Sequence, residues 1–450
     1  MKTPVVIGID IGTSRMKALA LDREGAERLV GAVATPFDHA GDRIEMEVES
    51  LRRALESLLS RLRGLDVSAI GIAGMAETGA ALDAGGAPLS PIISWHDPRG
   101  QEVVDDLLNR FGDEISRWIG QRLRTVSSAA KLGWLVRHGT EDIGCWLGAP
   151  ELALNLLTGG RSTEHSLAVR TGWYDVAERR YREDIAEAIG VTLDAFPPVA
   201  PAGTAMGRMT AEAARWSPLP EGVPVTIAGH DHLAGAAGAG ARRSDVVNSV
   251  GTAESVLRLA STLPDIAAVL EVRGALSIRP GGEGYWLLAS SARAGLVTKA
   301  ATAILGTDPD ALDREAESEA PVDAAAFVDA VQSGERPQVP EGPRGAVWRG
   351  VLEALAARTV EASERIARVI GGGTERVLVF GGGSRSNLSL RAKAKAFGLD
   401  VARVATTEAP ARGAALFAGV AAGWWASPDA APPAVIETLS ERGIGRQTPR

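Results

Sequence analysis

The 450-residue chain is 45% hydrophobic and 23% charged, the balance of a folded globular protein long enough for two domains. Its formal charge of −8 argues against a nucleic-acid partner, because no basic stripe would offset the overall repulsion. The single cysteine, Cys145, excludes an intrachain disulfide and a cysteine-type structural zinc site.

The apolar start MKTPVVIGIDIG is interrupted by Asp10 too early for a secretory signal. Within it, VVIGIDI reads as a short buried strand. KALALDREGAERLVGAVATP then gives two strands around a turn at Asp22 to Gly25. In EVESLRRALESLLSRLR, Val48, Leu51, Leu55, Leu58, Leu59 and Leu62 recur at helical spacing, and the strand AIGIAGM follows. A hairpin, a crossover helix and a further strand indicate an α/β layer.

SDVVNSVGTAESVLRLA repeats the strand, Gly-Thr turn and strand of VVIGIDIGTSRMKALALD. This predicts an internal duplication, two similar lobes across a cleft, with the Ala/Gly tract at 233–241 as the join. The competing explanation is that β-turn-β is simply a common unit. Thr307 to Arg344 reads as a short helix with loops, and the tail after Ser427 as peripheral. The longest charge-free apolar stretch, GAALFAGVAAGWWA from Gly413, is too short to span a bilayer. The expectation is a cytoplasmic protein with no membrane partner.

Five segments are candidates for chemistry. In IGIDIGTSRMK an acid at a strand end precedes a Gly-Thr-Ser turn and a lysine. The amides and hydroxyls of Gly12, Thr13 and Ser14, with Lys17, suit phosphate oxygens, and Asp10 suits hydrated Mg²⁺. Asp and Gly are also ordinary turn residues. In VLVFGGGSRSN, Gly381, Gly382 and Gly383 remove every Cβ from one surface, so a flat ring can lie on bare backbone; Ser384 or Asn387 is alternatively an N-cap.

In IISWHDPRG, Trp95, Asp97 and Arg99 offer a stacking ring and an ion pair to a polyhydroxylated ligand, against a plain surface salt bridge. Lys131 and Trp134 in KLGWL read equally well as amphipathic packing. AGHDHLAGAAGAG leaves three readings for the acid between its histidines. His230 and His232 ligate a metal, the glycines cradle a dinucleotide, or Asp231 is a catalytic base.

Together these segments resemble the FGGY family of carbohydrate kinases, within the actin and hexokinase superfamily of two-lobed ATPases. The likeness covers nearly the whole chain in order. IDIGTSRMK is similar to the first phosphate loop, and KLGWL with Ser128 to a family signature in which Val126 departs from the pattern. LTGG with STEHSLAVRTGWYDV resembles the mid-domain segment, Glu164 replacing its Asp. GHDHLAGAAGAG is similar to the catalytic-base segment, NSVGTAES to the second phosphate loop, and FGGGSRSN with EAPARGAALFAG to the adenine side.

The resemblance implies an α/β fold of two ribonuclease H-like lobes, 1–241 for the acceptor sugar and base and 242–450 for ATP. It implies Asp231 as base, Asp10 for Mg²⁺, and Gly12, Thr13, Ser14, Lys17, Gly251, Thr252, Gly381 to Gly383 and Asn387 around ATP. The acceptor, a small ketose or polyol, is expected against Glu77, Thr78, Trp95, Asp97, Arg99 and Asp231. Ala76 stands where glycerol kinases have arginine, and Glu77 where xylulokinases have histidine, so neither subgroup is matched. A homodimer is an admissible assembly. Two other classes stay open: an actin-like ATPase without phosphate transfer, and a metal-dependent hydrolase using His230 and His232.

Overall fold

The computed structural model describes residues 3–251, 253–406, 408–440 and 443–447. Two mixed sheets organise it. The first runs in the order Gly207–Arg208, Pro224–His230, Asp66–Gly74, Pro4–Ile11, Arg15–Asp22, Glu27–Ala34. The second runs Ala275–Ile278, Tyr285–Ala292, Glu254–Ala260, Asp245–Val250, Arg376–Phe380, Val401–Val404, Ile436–Ser440, Gly443–Gln447. In both, the leading strand pairs antiparallel with its hairpin partner and parallel with a later strand. The duplicated hairpins of the sequence are thus duplicated sheets.

The helix Val48–Leu59, continued by the short 3₁₀ turn Ser60–Leu62, buries the apolar stripe that its spacing predicts. A third sheet, Asp38–Ala40, Arg43–Met46, Ile92–Ile93, Gly79–Leu82 and Cys145–Gly148, was not foreseen. Its strands are short and carry no strong period, yet it holds the loop from Ser94 to Arg99.

Two expectations need correction. Thr307 to Arg344 holds two helices, Pro309–Ala316 and Ala325–Ser333, not one. Asp308 caps the first by accepting from the Ala311 amide, with Pro309 in the opening turn. The tail is not merely peripheral, because Ile436–Ser440 pairs with Val401–Val404 and extends the second sheet.

The Ala/Gly tract is the helix Asp231–Gly238, packed against the helix Ala409–Ala421. That second helix also lies across strands Pro4–Ile11 and Asp66–Gly74. Gly8 and Gly71 permit the approach: a Cβ on either would fall 1.8 Å and 1.9 Å from the carbonyls of Ala411 and Ala414. Among the described residues no helix is long and apolar enough to cross a membrane.

Candidate active site

Parallel strands deliver their following loops to one edge of a sheet, where ligands bind in open α/β folds. In the first sheet Asp10 pairs with Ala73, and His230 with Gly74. Asp10, the loop Met75 to Thr78 and Asp231 therefore emerge together. In the second sheet Ser249 pairs with Phe380, so Gly251 and the glycine triplet emerge side by side. Gly381 takes φ 98°, and a Cβ there would sit 2.5 Å from the Val250 carbonyl. The first glycine serves this close crossing, whereas Gly382 faces open space. Thr252 lies outside the described residues.

Asp231 opens the helix Asp231–Gly238, and its side chain is 26% exposed. Its Oδ1 accepts from the His232 amide at 2.6 Å and lies 3.2 Å from His230 Nε2. Burial alone would raise this carboxyl, but His232, His230, the His232 amide and Arg170 outweigh it and hold it below the usual carboxylate range. It is ionised at neutral pH. Burial drives His230 down to about 3, so that imidazole is neutral. His232 Nδ1 lies 3.0 Å from Ser249 Oγ, a hydrogen bond joining the base helix to the second sheet. His230, Asp231 and His232 each offer one ligand atom within 4.8 Å, although two of these groups already bond one another and a third reaches Ser249.

Asp10 is 6% exposed, and its Oδ1 has no hydrogen-bond partner among the described residues. Burial first, then the charge of Asp231, push its carboxyl up to about 8, with Lys17 opposing and Glu408 adding to the rise. A buried, orphaned acid beside a second acid fits a hydrated divalent cation, whose charge would reverse the shift. Gly12 donates its amide to the Arg15 carbonyl, and its own carbonyl accepts from the Thr35 hydroxyl. Ser14 is exposed, and Lys17 is ion-paired to Glu408 ahead of the helix Ala409–Ala421.

Trp95 donates its indole N–H to Thr13 Oγ1 at 3.1 Å and its amide to Thr78 Oγ1 at 3.0 Å. The Trp95 ring is thereby fastened to the turn at 12–14. His96 stacks on Trp95 at 3.4 Å. Asp97 is 1% exposed and gives both oxygens to protein: the Ile44 amide, the Arg99 amide and the Arg99 guanidinium. Arg99 also pairs with Glu45 at 2.6 Å and lies over Trp134. Asp97 and Arg99 are thus spent on holding their loop rather than offered to a cleft.

Lys131 is fully buried, and its ammonium donates to the Asp97 and Arg99 carbonyls. Burial lowers it to about 8. It is a pin for the Trp95 loop, beyond the amphipathic packing its spacing allows. Asn387 accepts from Arg403 through Oδ1 at 2.9 Å. Sequence reasoning missed Arg170, which pairs with Glu77 at 2.5 Å. It also missed the relay from Glu164 through Ser166 Oγ to the His230 amide. The only signal for either was the mid-domain segment that contains both.

The model for the FGGY family of carbohydrate kinases, N-terminal domain, matches residues 5–238, and that for the C-terminal domain matches 284–422. L-fuculokinase of Salmonella typhi is 28% identical over 469 residues, covering 96% of this chain and 95% of its own. A crystal structure of a xyloylose kinase from Brucella ovis matches with a TM-score of 0.83 at 23% identity, over 97% of this chain and 94% of that one. The Plasmodium falciparum glycerol kinase with ADP matches with a TM-score of 0.80 at 18% identity, over 95% and 91%.

Proposed function

The chain belongs to the FGGY family of carbohydrate kinases and is an ATP-dependent sugar phosphotransferase; from that premise we propose that its acceptor is a small ketose and that Asp231 is the base. Residues 1–241 hold the acceptor and the base, and 242–450 hold ATP. L-fuculose is the first candidate, since L-fuculokinases align over almost the full chain. A polyol is the second, on the alignment with a glycerol kinase of Aquifex aeolicus, 26% identical over 94% of this chain.

The carrying observation is the convergence of Asp10, Glu77 and ionised Asp231 at the carboxyl edge of one sheet. Asp231 accepts the proton of the attacking hydroxyl, a role usually worth about 10²–10⁴-fold. The His230 imidazole and the His232 backbone amide fix its orientation. Gly12, Thr13 and Ser14 from one lobe and Gly251 with Thr252 from the other contact the phosphates, and Gly381 to Gly383 border adenine. Asn387 and Lys17 act through the contacts they make, Asn387 by orienting Arg403 and Lys17 by tying the first phosphate strand to Glu408.

Asp10 would hold hydrated Mg²⁺, which neutralises phosphate charge when bound. Trp95 stacks on the acceptor while Glu77 orients its hydroxyls, and Thr78, fully buried, holds Trp95 by accepting from its amide. Asp97 and Arg99 keep the Trp95 loop in place. Closure between the lobes excludes water, the competing acceptor.

An ATP-consumption screen over ketoses, polyols and aldoses, run with wild type and Asp231→Asn, tests this reading. A ketose should stimulate wild type, and Asp231→Asn should lose about 10²-fold or more in kcat with both ligands still bound. Sugar-independent ATP turnover, or an Asp231→Asn enzyme at the wild-type rate, refutes it.

A further inference from the structure

Glu77 has a backbone that needs explaining. Its φ is 63°, the left-handed region that a long side chain rarely occupies. Such a conformation is strained and persists where surrounding contacts over-determine it. The contact here is Arg170, in the 3₁₀ turn Val169–Thr171. Its Nη2 donates to Glu77 Oε1 at 2.5 Å, and its Nη1 donates to Gln121 Oε1 at 2.5 Å. The guanidinium is mostly buried, with 12% of its side chain exposed.

This cluster is saturated on one side and unsatisfied on the other. Arg170 Nε and Gln121 Nε2 are both buried donors without a partner among the described residues. An orphaned buried donor is destabilising, and two in bonded neighbours call for an oxygen-rich occupant. A second guanidinium stands close. Arg124 is depressed first by burial and then by Arg170, with Glu77 opposing. One carboxylate facing two guanidiniums leaves the cluster short of acceptors and positively charged.

The charge of Arg170 is also felt at the base. Asp231 is faced by His230, His232, Asp10 and Arg170, and the Arg170 charge is among those that keep it ionised. Arg170 thus touches the residue that orients the acceptor and bears electrostatically on the residue that deprotonates it.

We infer that Arg170, with Gln121, is a second arm of the acceptor subsite, donating hydrogen bonds to hydroxyl or carbonyl oxygens of the ketose that Glu77 orients. Acceptor choice is then set by a donor-rich arm from residues 121 and 170 as much as by the loop at 75–78. The inference rests on the kinase reading above and extends it to residues that reading gives no role.

The test is steady-state kinetics of wild type, Arg170→Gln and Arg170→Lys, with ATP and whichever panel ketose wild type phosphorylates, L-fuculose first. Arg170→Gln should raise the acceptor KM about tenfold or more while leaving the ATP KM within about twofold. Arg170→Lys should recover only part of the loss, since an ammonium cannot serve Glu77, Gln121 and a ligand at once. If Arg170→Gln melts out of the fold, Gln121→Met carries the same reading, because it leaves the Arg170–Glu77 pair intact. Folded variants with wild-type acceptor KM, or equal rises in both constants, overturn this assignment alone. A wild type that phosphorylates no sugar of the panel overturns the kinase reading and this arm with it.

Discussion

Asp10 is an acid with little to hold it. It is buried, its Oδ1 is without a partner among the described residues, and the charge of Asp231 works against its ionisation. Among the described residues the charge of Lys17 favours its ionisation but does not prevail, and a divalent cation would tip the balance. Asp10→Asn should therefore lower turnover by about 10²-fold or more at saturating Mg·ATP, the scale of losing one electrostatic group at a developing charge. The metal-free protein should melt no earlier than wild type at pH 8, because the variant removes an unsatisfied acid. Normal turnover in Asp10→Asn would refute the metal role. Asp10, Thr13 and Asp231 could be singled out as candidates because an acid or turn residue at a strand end is a local feature, and the sheet register does bring Asp10 and Asp231 to one edge. The commitments of Asp97 were not. Its partner amide at Ile44 lies 53 residues away and the Lys131 pin 34, and no period or motif encodes such pairings.

Among elements, the helix Ala409–Ala421 ties the C-terminal part of the chain to the first sheet. It touches both central strands of the first sheet and the base helix, although it arrives from the far end of the chain. Arg412 within it donates to Glu27 at 2.5 Å, to the Gly238 carbonyl at 2.7 Å and to the Pro432 carbonyl at 2.8 Å. The sequence showed the small residues of this segment but not their purpose, because a Gly/Ala run reads equally as a loop, a ligand cradle or a close crossing. The crossing is decided by Gly8 and Gly71, whose missing side chains matter only once helix and sheet meet. Gly71→Ala puts a methyl within 1.9 Å of the Ala414 carbonyl, and neither backbone can yield locally. The expected cost is about 1–3 kcal/mol or more, read as a lower urea midpoint, with activity lost in proportion to misaligned loops. A Gly71→Ala protein as stable as wild type would show that the helix is free to slide.

At the scale of the whole molecule, buried titratable groups make stability depend on pH with a sign that can be worked out. Burial raises Asp10 to about 8 and Glu151 and Glu164 each to about 7. Between its unfolded and folded values each acid keeps a proton in the native state that the unfolded chain has released. Stability therefore falls as pH rises through that window, by up to roughly 1.4 kcal/mol per pH unit for each group. His230, lowered to about 3 by burial, acts in the opposite direction, as do His96 and His165, but only below the unfolded histidine value of 6.5. Lys131, lowered to about 8, adds stability with rising pH only above that value. From pH 6.5 to 8 the three acids act almost alone, so the urea-unfolding free energy of the metal-free protein should drop by an amount on the order of a few kcal/mol. Glu164→Gln keeps the shape of the side chain and cannot ionise, so it should flatten part of the slope. Saturating Mg·ATP should flatten another part, by favouring ionised Asp10. Stability that rises from pH 6.5 to 8, or a slope that neither change alters, would mean that these carboxyls are charged in the native protein and that the site at the lobe junction is wetter than its burial indicates.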